Sequence, residues 1–159
     1  MNQNHLIASK SISVFGGLTK KGNEISAGLT SYSKSLSGLN KGFYFSYSLG
    51  DINTQTGTDF QNIAVKVMLE KTVFQSKSMF INLGAGPYLG FEKLKNSVLD
   101  KTRSKDFVPG LTGFFEFEDC FSSGSRWGVF LRAEQTYRYS SDISSLYYSV
   151  NLGVRYSLP

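Results

Sequence analysis

Glu116 and Glu118 are the residues whose spacing comes nearest to chemistry. Two apart in an extended segment, they carry their carboxylates on one face, and a pair of facing carboxyls is what glycoside hydrolysis uses. Arg132, Arg138 and Arg155 stand on matching faces of the segments that follow. The carboxylates are therefore expected to be held in ion pairs, not kept free as acid and base. His5 is the only histidine and lies in a polar amino-terminal stretch, so a Ser–His or His–metal centre would hang on a segment that precedes the first strand. Cys120 is the only cysteine. That excludes an internal disulfide or a cysteine zinc site, and at a strand end it reads as a small filler. Gly84-Ala85-Gly86 followed by Gly90 has the glycine density of a phosphate loop, but the spacing is wrong and no helix follows. The expectation is no catalytic residue, no cofactor, no metal and no enzyme.

The elements that carry these residues are strands. Leu146, Tyr148, Val150, Leu152, Val154, Tyr156 and Leu158 alternate with Tyr147, Ser149, Asn151, Gly153, Arg155 and Ser157, a period of two with one apolar and one polar face. Seven further segments repeat the pattern, beginning near Ser11, Ile25, Phe43, Ile63, Met79, Phe107 and Trp127. Polar connections lie near 20–23, 33–40, 51–58, 75–77, 94–106, 121–125 and 140–144, with 94–106 the longest. Residues 1–10 read as a tail and 11–159 as a single domain. Eight strands in meander order, with no convincing helix, predict an all-β fold: an eight-stranded antiparallel up-and-down transmembrane β-barrel.

Composition agrees with a barrel better than with a helical membrane protein. Aromatics make up 14% of the chain and charged residues 18%. No run reaches the roughly 18 apolar residues of a spanning helix. A mean hydropathy of −0.18 is compatible with a barrel, whose inward residues dilute the average. The net charge of +5 comes from scattered lysines, without the clustered stripe of a nucleic-acid groove. Met1-Asn2-Gln3-Asn4-His5 lacks the basic start and apolar core of a signal peptide, so the chain reads as a mature form with an added Met1.

The polar face carries Lys66, Glu70, Glu92, Glu116, Glu118, Arg132, Glu134, Arg138 and Arg155, and most of the strand glycines share it. Glycines weaken an exposed strand but make room inside a narrow barrel. The mixed face is therefore predicted to be a crowded polar lumen holding a charge network, with the apolar face turned outward to lipid. Trp127 and Tyr137 are ten residues apart on one strand, about 25 Å at the usual strand tilt. That is the height between two aromatic girdles, which Tyr139, Tyr148 and Tyr156 would join. Pro87 and Pro109 each lack a ladder donor and belong at a bulge or rim. The runner-up is a soluble lipocalin-like barrel that turns the apolar face inward onto a small apolar ligand.

Two resemblances add to this. Asn151-Leu152-Gly153-Val154-Arg155-Tyr156-Ser157-Leu158 resembles the carboxy-terminal β-signal of outer-membrane barrels, with Asn151, Gly153, Tyr156 and Leu158 at its defined positions and Pro159 in place of a terminal aromatic. Segments 80–92, 110–118 and 131–135, in their order along the chain, resemble the TraO-type conjugal-transfer proteins of conjugative transposons. The likeness implies an outer-membrane part of a mating apparatus in a Gram-negative bacterium. Its partners would be outer-membrane lipid, the barrel-assembly machinery and other conjugation proteins, with no nucleic acid. No catalytic residue is implied.

Overall fold

The computed structural model describes residues 10–33, 38–53, 58–96, 101–121 and 125–158. Eight strands, β1 (Lys10–Thr19), β2 (Gly22–Ser31), β3 (Asn40–Asn53), β4 (Thr58–Ser76), β5 (Met79–Asn96), β6 (Lys101–Cys120), β7 (Trp127–Arg138) and β8 (Leu146–Leu158), pair in sequence order. β1 closes on β8, with Val14 opposite Val154. Every neighbouring pair is antiparallel, and no described residue is helical.

The register sets the shape. Stepping across opposed residues from Tyr156 through Ile12, Leu29, Phe43, Val67, Pro87, Leu111 and Tyr137 returns to β8 at Leu146, ten residues from the start. Eight strands with that stagger tilt by roughly 40°, so each residue climbs about 2.5 Å along the axis. Every residue on this path is apolar and points outward. Exposure alternates with the pleat: Val150, Leu152 and Val154 are exposed, while Ser149, Asn151 and Arg155 are buried. Charged side chains make up much of the interior.

The two ends differ. At the loop end, β1 and β2 turn at once through Lys20 and Lys21, whereas β3 to β6 continue and form a taller wall. The segment 94–106, expected to be a loop, is mostly paired ribbon: Leu94 opposes Arg103 and Asn96 opposes Lys101, and 97–100 lie outside the described residues. Likewise β3 reaches Asn53 and β4 begins at Thr58, with 54–57 outside the described residues. At the other end, where β1 begins and β8 finishes, β4 passes to β5 through Lys77, which takes a left-handed φ of 47°. The expected tail 1–10 lies outside the described residues except for Lys10, which opens β1 opposite Leu158. His5 is outside them too.

Pro87 is neither at a rim nor at a bulge. The register is unchanged on both sides of it, but the β4–β5 ladder is interrupted where Val67 and Met68 face Pro87 and Gly86. Proline cannot donate, and a Cβ on Gly86 would lie 1.9 Å from the Val67 carbonyl oxygen, so the bare Gly86 lets the strands approach there. Pro109 lies near the loop-end limit of β7 and accepts a hydrogen bond from the Tyr139 amide at 2.8 Å.

Candidate functional site

The lumen is a packed stack, and the nine charged residues predicted for it are all buried inside. Arg132 on β7 lies at its centre. It opposes Glu116 on β6, with Nη2 2.6 Å from Oε2, and Nη2 also donates to the Tyr44 hydroxyl at 3.1 Å. Tyr44 in turn donates to Glu70 at 2.5 Å. The Arg132 guanidinium sits 3.9 Å from the centre of the Phe114 ring, 4.6 Å from Tyr44 and 4.9 Å from Phe15. Its planar, weakly hydrated head suits such a cage.

Towards the termini, Arg155 pairs with Glu116 at 3.0 Å and with Glu118. The Asn82 amide donates to both carboxylates, at 3.0 and 3.3 Å. The Glu116–Glu118 pair is therefore engaged by two guanidiniums and an amide, and neither carboxylate is placed as a free acid or base. Towards the loops, Lys66 pairs with Glu134 at 2.5 Å and with Glu24 at 3.4 Å, and Ser26 and Ser48 donate to Glu24. Highest in the barrel, Arg138 pairs with Glu92 at 3.3 Å and lies 3.7 Å from the centre of the Tyr147 ring.

Glu92 also holds down the β7–β8 connection. It accepts from the Ser141 hydroxyl at 2.6 Å and from the Asp142 amide at 3.1 Å. This tucks Ile143 into the barrel mouth against Phe60 and Tyr147, with Ile52 and Leu94 beside them. The lumen thus has an apolar stopper at its loop end.

The lumen is also more aromatic than expected. Phe15, Tyr44, Met68, Phe114 and Phe130 form one buried cluster, and the inward glycines serve as floors for rings as much as space for charges. A Cβ on Gly84 would lie 2.3 Å from the Phe114 ring, and one on Gly28 would lie 2.1 Å from Tyr44. Glu24 and Tyr44 also belong to the network, which the sequence does not disclose. Glu24 fell beside a turn, and Tyr44 gave no signal that separated it from the outward tyrosines except its parity with Ser46 and Ser48.

Outside, the aromatic residues predicted for the girdles separate by height. Trp127 and Tyr156 oppose each other near the termini, ring centres 4.7 Å apart. Tyr137 and Tyr139, 5.0 Å apart, lie near the loops with Tyr148. Of the residues matching the β-signal, Asn151 is buried and donates to Ser149, Tyr156 packs against Trp127 with its ring tilted by 50°, and Leu158 opposes Lys10. Gly153 lies against two phenylalanines and a neighbouring strand: a Cβ there would be 2.4 Å from the Phe15 Cβ, 2.6 Å from the Phe130 ring and 2.8 Å from the Val14 carbonyl oxygen. Packing alone therefore requires a glycine at that position.

No family model matches the chain, and no curated protein does. Solved structures do. The chain is similar to Neisserial surface protein A, with a TM-score of 0.67 at 11% identity over 94% of this chain and 95% of that one. It is similar to the N-terminal β-barrel domain of Pseudomonas aeruginosa OprF, with a TM-score of 0.65 at 10% identity over 94% and 96%. The outer membrane enzyme PagL matches with a TM-score of 0.55 at 14% identity over 93% and 99%. At such identities the likeness concerns fold, and one fold hosts many functions. The chain is a closed, eight-stranded, all-antiparallel β-barrel of the kind that outer-membrane proteins use.

Proposed function

We propose that this chain spans a bacterial outer membrane, apolar face to lipid, and works there as a structural or interaction component, not as an enzyme or a pore. The observation that carries the reading is the inversion of the usual soluble pattern. Leu152 is 67% exposed and Val67 50%, whereas Arg132, Glu116 and Arg155 are at most 2% exposed. A soluble protein rarely leaves so large an apolar surface uncovered, but a membrane barrel requires one. The lipocalin-like alternative needs an apolar cavity where this barrel holds ion pairs and stacked rings. Arg132 in its aromatic cage and the Ile143 stopper argue against conduction, since side chains fill a barrel of this strand number.

The taller β3–β6 wall gives the surface on which partners would act. The ordered likeness of segments 80–92, 110–118 and 131–135 to TraO-type proteins supports a place in a conjugation apparatus. Two experiments separate the parts of the proposal. Removing detergent from the purified folded chain should precipitate it unless lipid is supplied; a monomer that stays soluble without either would overturn the membrane reading. Deleting the chain from a donor strain should lower conjugal transfer, and unchanged transfer would overturn the conjugation role alone.

A further inference from the structure

We propose that the outward face of β6, β7 and β8 is a self-association surface on which two copies of this chain pair within the bilayer through Gln135. The inference rests on the membrane-spanning reading above. Gln135 points outward from β7, between Ala133 and Tyr137. Its register partners are Gly113 on β6 and Tyr148 on β8. Lys41 and Lys71 are also outward, but they lie towards the terminal-end rim, where a long side chain reaches water. Ser31, outward on β2 opposite Lys10 and Lys41, lies towards that same rim, and Asn23 lies beside the loop-end turn of β1 and β2; Gln135 turns its polar side chain outward one to two residues inside the loop-end girdle of Tyr137 and Tyr148. Its side-chain amide has no hydrogen-bond partner among the described residues; apart from the strand ladders, its backbone carbonyl accepts from the Thr112 hydroxyl.

The surface around it is hollowed. Leu111, Phe115, Tyr137 and Tyr148 rim a concave patch floored by Gly113 and Ala133. Unlike the inward glycines, Gly113 answers no demand of the barrel. A Cβ there would meet only the Gly84 carbonyl oxygen at 3.5 Å, an ordinary contact, and its φ is not left-handed. Its small size therefore serves approach from outside.

The chemistry selects the occupant. An unpaired amide facing acyl chains is costly, and acyl chains supply neither donor nor acceptor. A second copy presents the same amide at the same depth. A carboxamide is self-complementary, so a two-fold axis along the membrane normal lets each Gln135 donate its N–H to the other's carbonyl, and it sets the two hollows face to face. Small residues that allow close approach, combined with polar side chains between segments, are how membrane-embedded surfaces associate.

The test is the oligomeric state of the full chain folded in phosphatidylcholine bilayers at falling protein-to-lipid ratio, read by energy transfer between labelled copies. The expected result is a dimer that Gln135→Leu weakens about tenfold and that Gly113→Leu, which fills the hollow, weakens at least as much. Gln135→Cys should form a disulfide-linked dimer under mild oxidation. Phe45→Cys, on the opposite wall, should not, and neither should the parent chain, whose Cys120 is buried. A monomer at every ratio would overturn the proposal, as would a dimer indifferent to both leucine substitutions or one cross-linked through Phe45→Cys. Each of those results leaves the membrane reading standing, which fails only if the chain stays folded and soluble without lipid or detergent.

Discussion

Arg132 and Glu116 face each other as registered partners on β7 and β6, 2.6 Å apart, each side chain 1% exposed. Around this pair the lumen is ordered in tiers. Arg155 and Glu118 lie below it, Lys66 with Glu134 and Glu24 above, and Arg138 with Glu92 at the mouth. A buried charge left without its partner is heavily penalised, while removal of both partners costs far less. Arg132→Met, which leaves Glu116 to Arg155 and Asn82 and takes the guanidinium from Tyr44, should destabilise the barrel by about 2–4 kcal/mol, and adding Glu116→Gln, with Arg155 still held by Glu118, should recover part of that loss. Denaturant unfolding from lipid vesicles measures both, followed by the fluorescence of Trp127, the only tryptophan.

Gly153 separates packing from assembly. With Phe15 and Phe130 pressed over it, Gly153→Ala should cost about 1–3 kcal/mol in unassisted refolding, where no assembly machinery is present. Shrinking one ring, as in Phe130→Leu, should relieve part of the cost, a coupling that a double-mutant cycle reads directly. A Gly153→Ala chain that refolds with unchanged stability would assign the glycine to recognition alone.

Depth on the outer face should grade the cost of a charge. Val67→Arg, near mid-height on β4, should destabilise the barrel by about 2–4 kcal/mol, and Gln61→Arg, six residues nearer the loop-end rim on the same face, by about 1 kcal/mol or less. Equal costs at the two positions would deny the outer face a depth profile. Refolding yields and unfolding midpoints in vesicles provide the comparison.

Glu92 fastens the mouth. Glu92→Ala removes the acceptor for Ser141 and Asp142 and strands Arg138. Exchange of the Asp142 amide should speed up by about 10–100-fold, the equivalent of one charge-assisted hydrogen bond, while exchange in mid-strand β8 stays within a few fold of the parent. Amide hydrogen exchange resolved by NMR in micelles is the readout.

What the sequence discloses follows where water is excluded on one side. β7 and β8 read cleanly because each has one face in the lumen and one on the apolar exterior, so alternation is strict from Trp127 to Arg138 and from Leu146 to Leu158. Above the apolar band the outward positions are polar, as at Lys93 and Lys95, so the sequence loses its apolar period and the paired ribbon at Leu94 and Arg103 looks like a loop. Ile143, a lone apolar residue in a polar connection, carries no period, so its part in the stopper emerges only from its contacts. Gln135 breaks the apolar parity of β7, and parity alone cannot tell a lapse from a site.

A barrel that spans the bilayer sets its outward side chains among acyl chains. A single tryptophan placed by Val67→Trp in a Trp127→Phe chain, folded in vesicles whose lipids carry bromine near the acyl-chain ends, tests it most directly. Blue-shifted emission, strongly quenched by those lipids, is the expected result. Red-shifted emission that brominated lipid leaves untouched, in a chain that remains folded, would put the outer face in water and overturn the membrane-spanning reading.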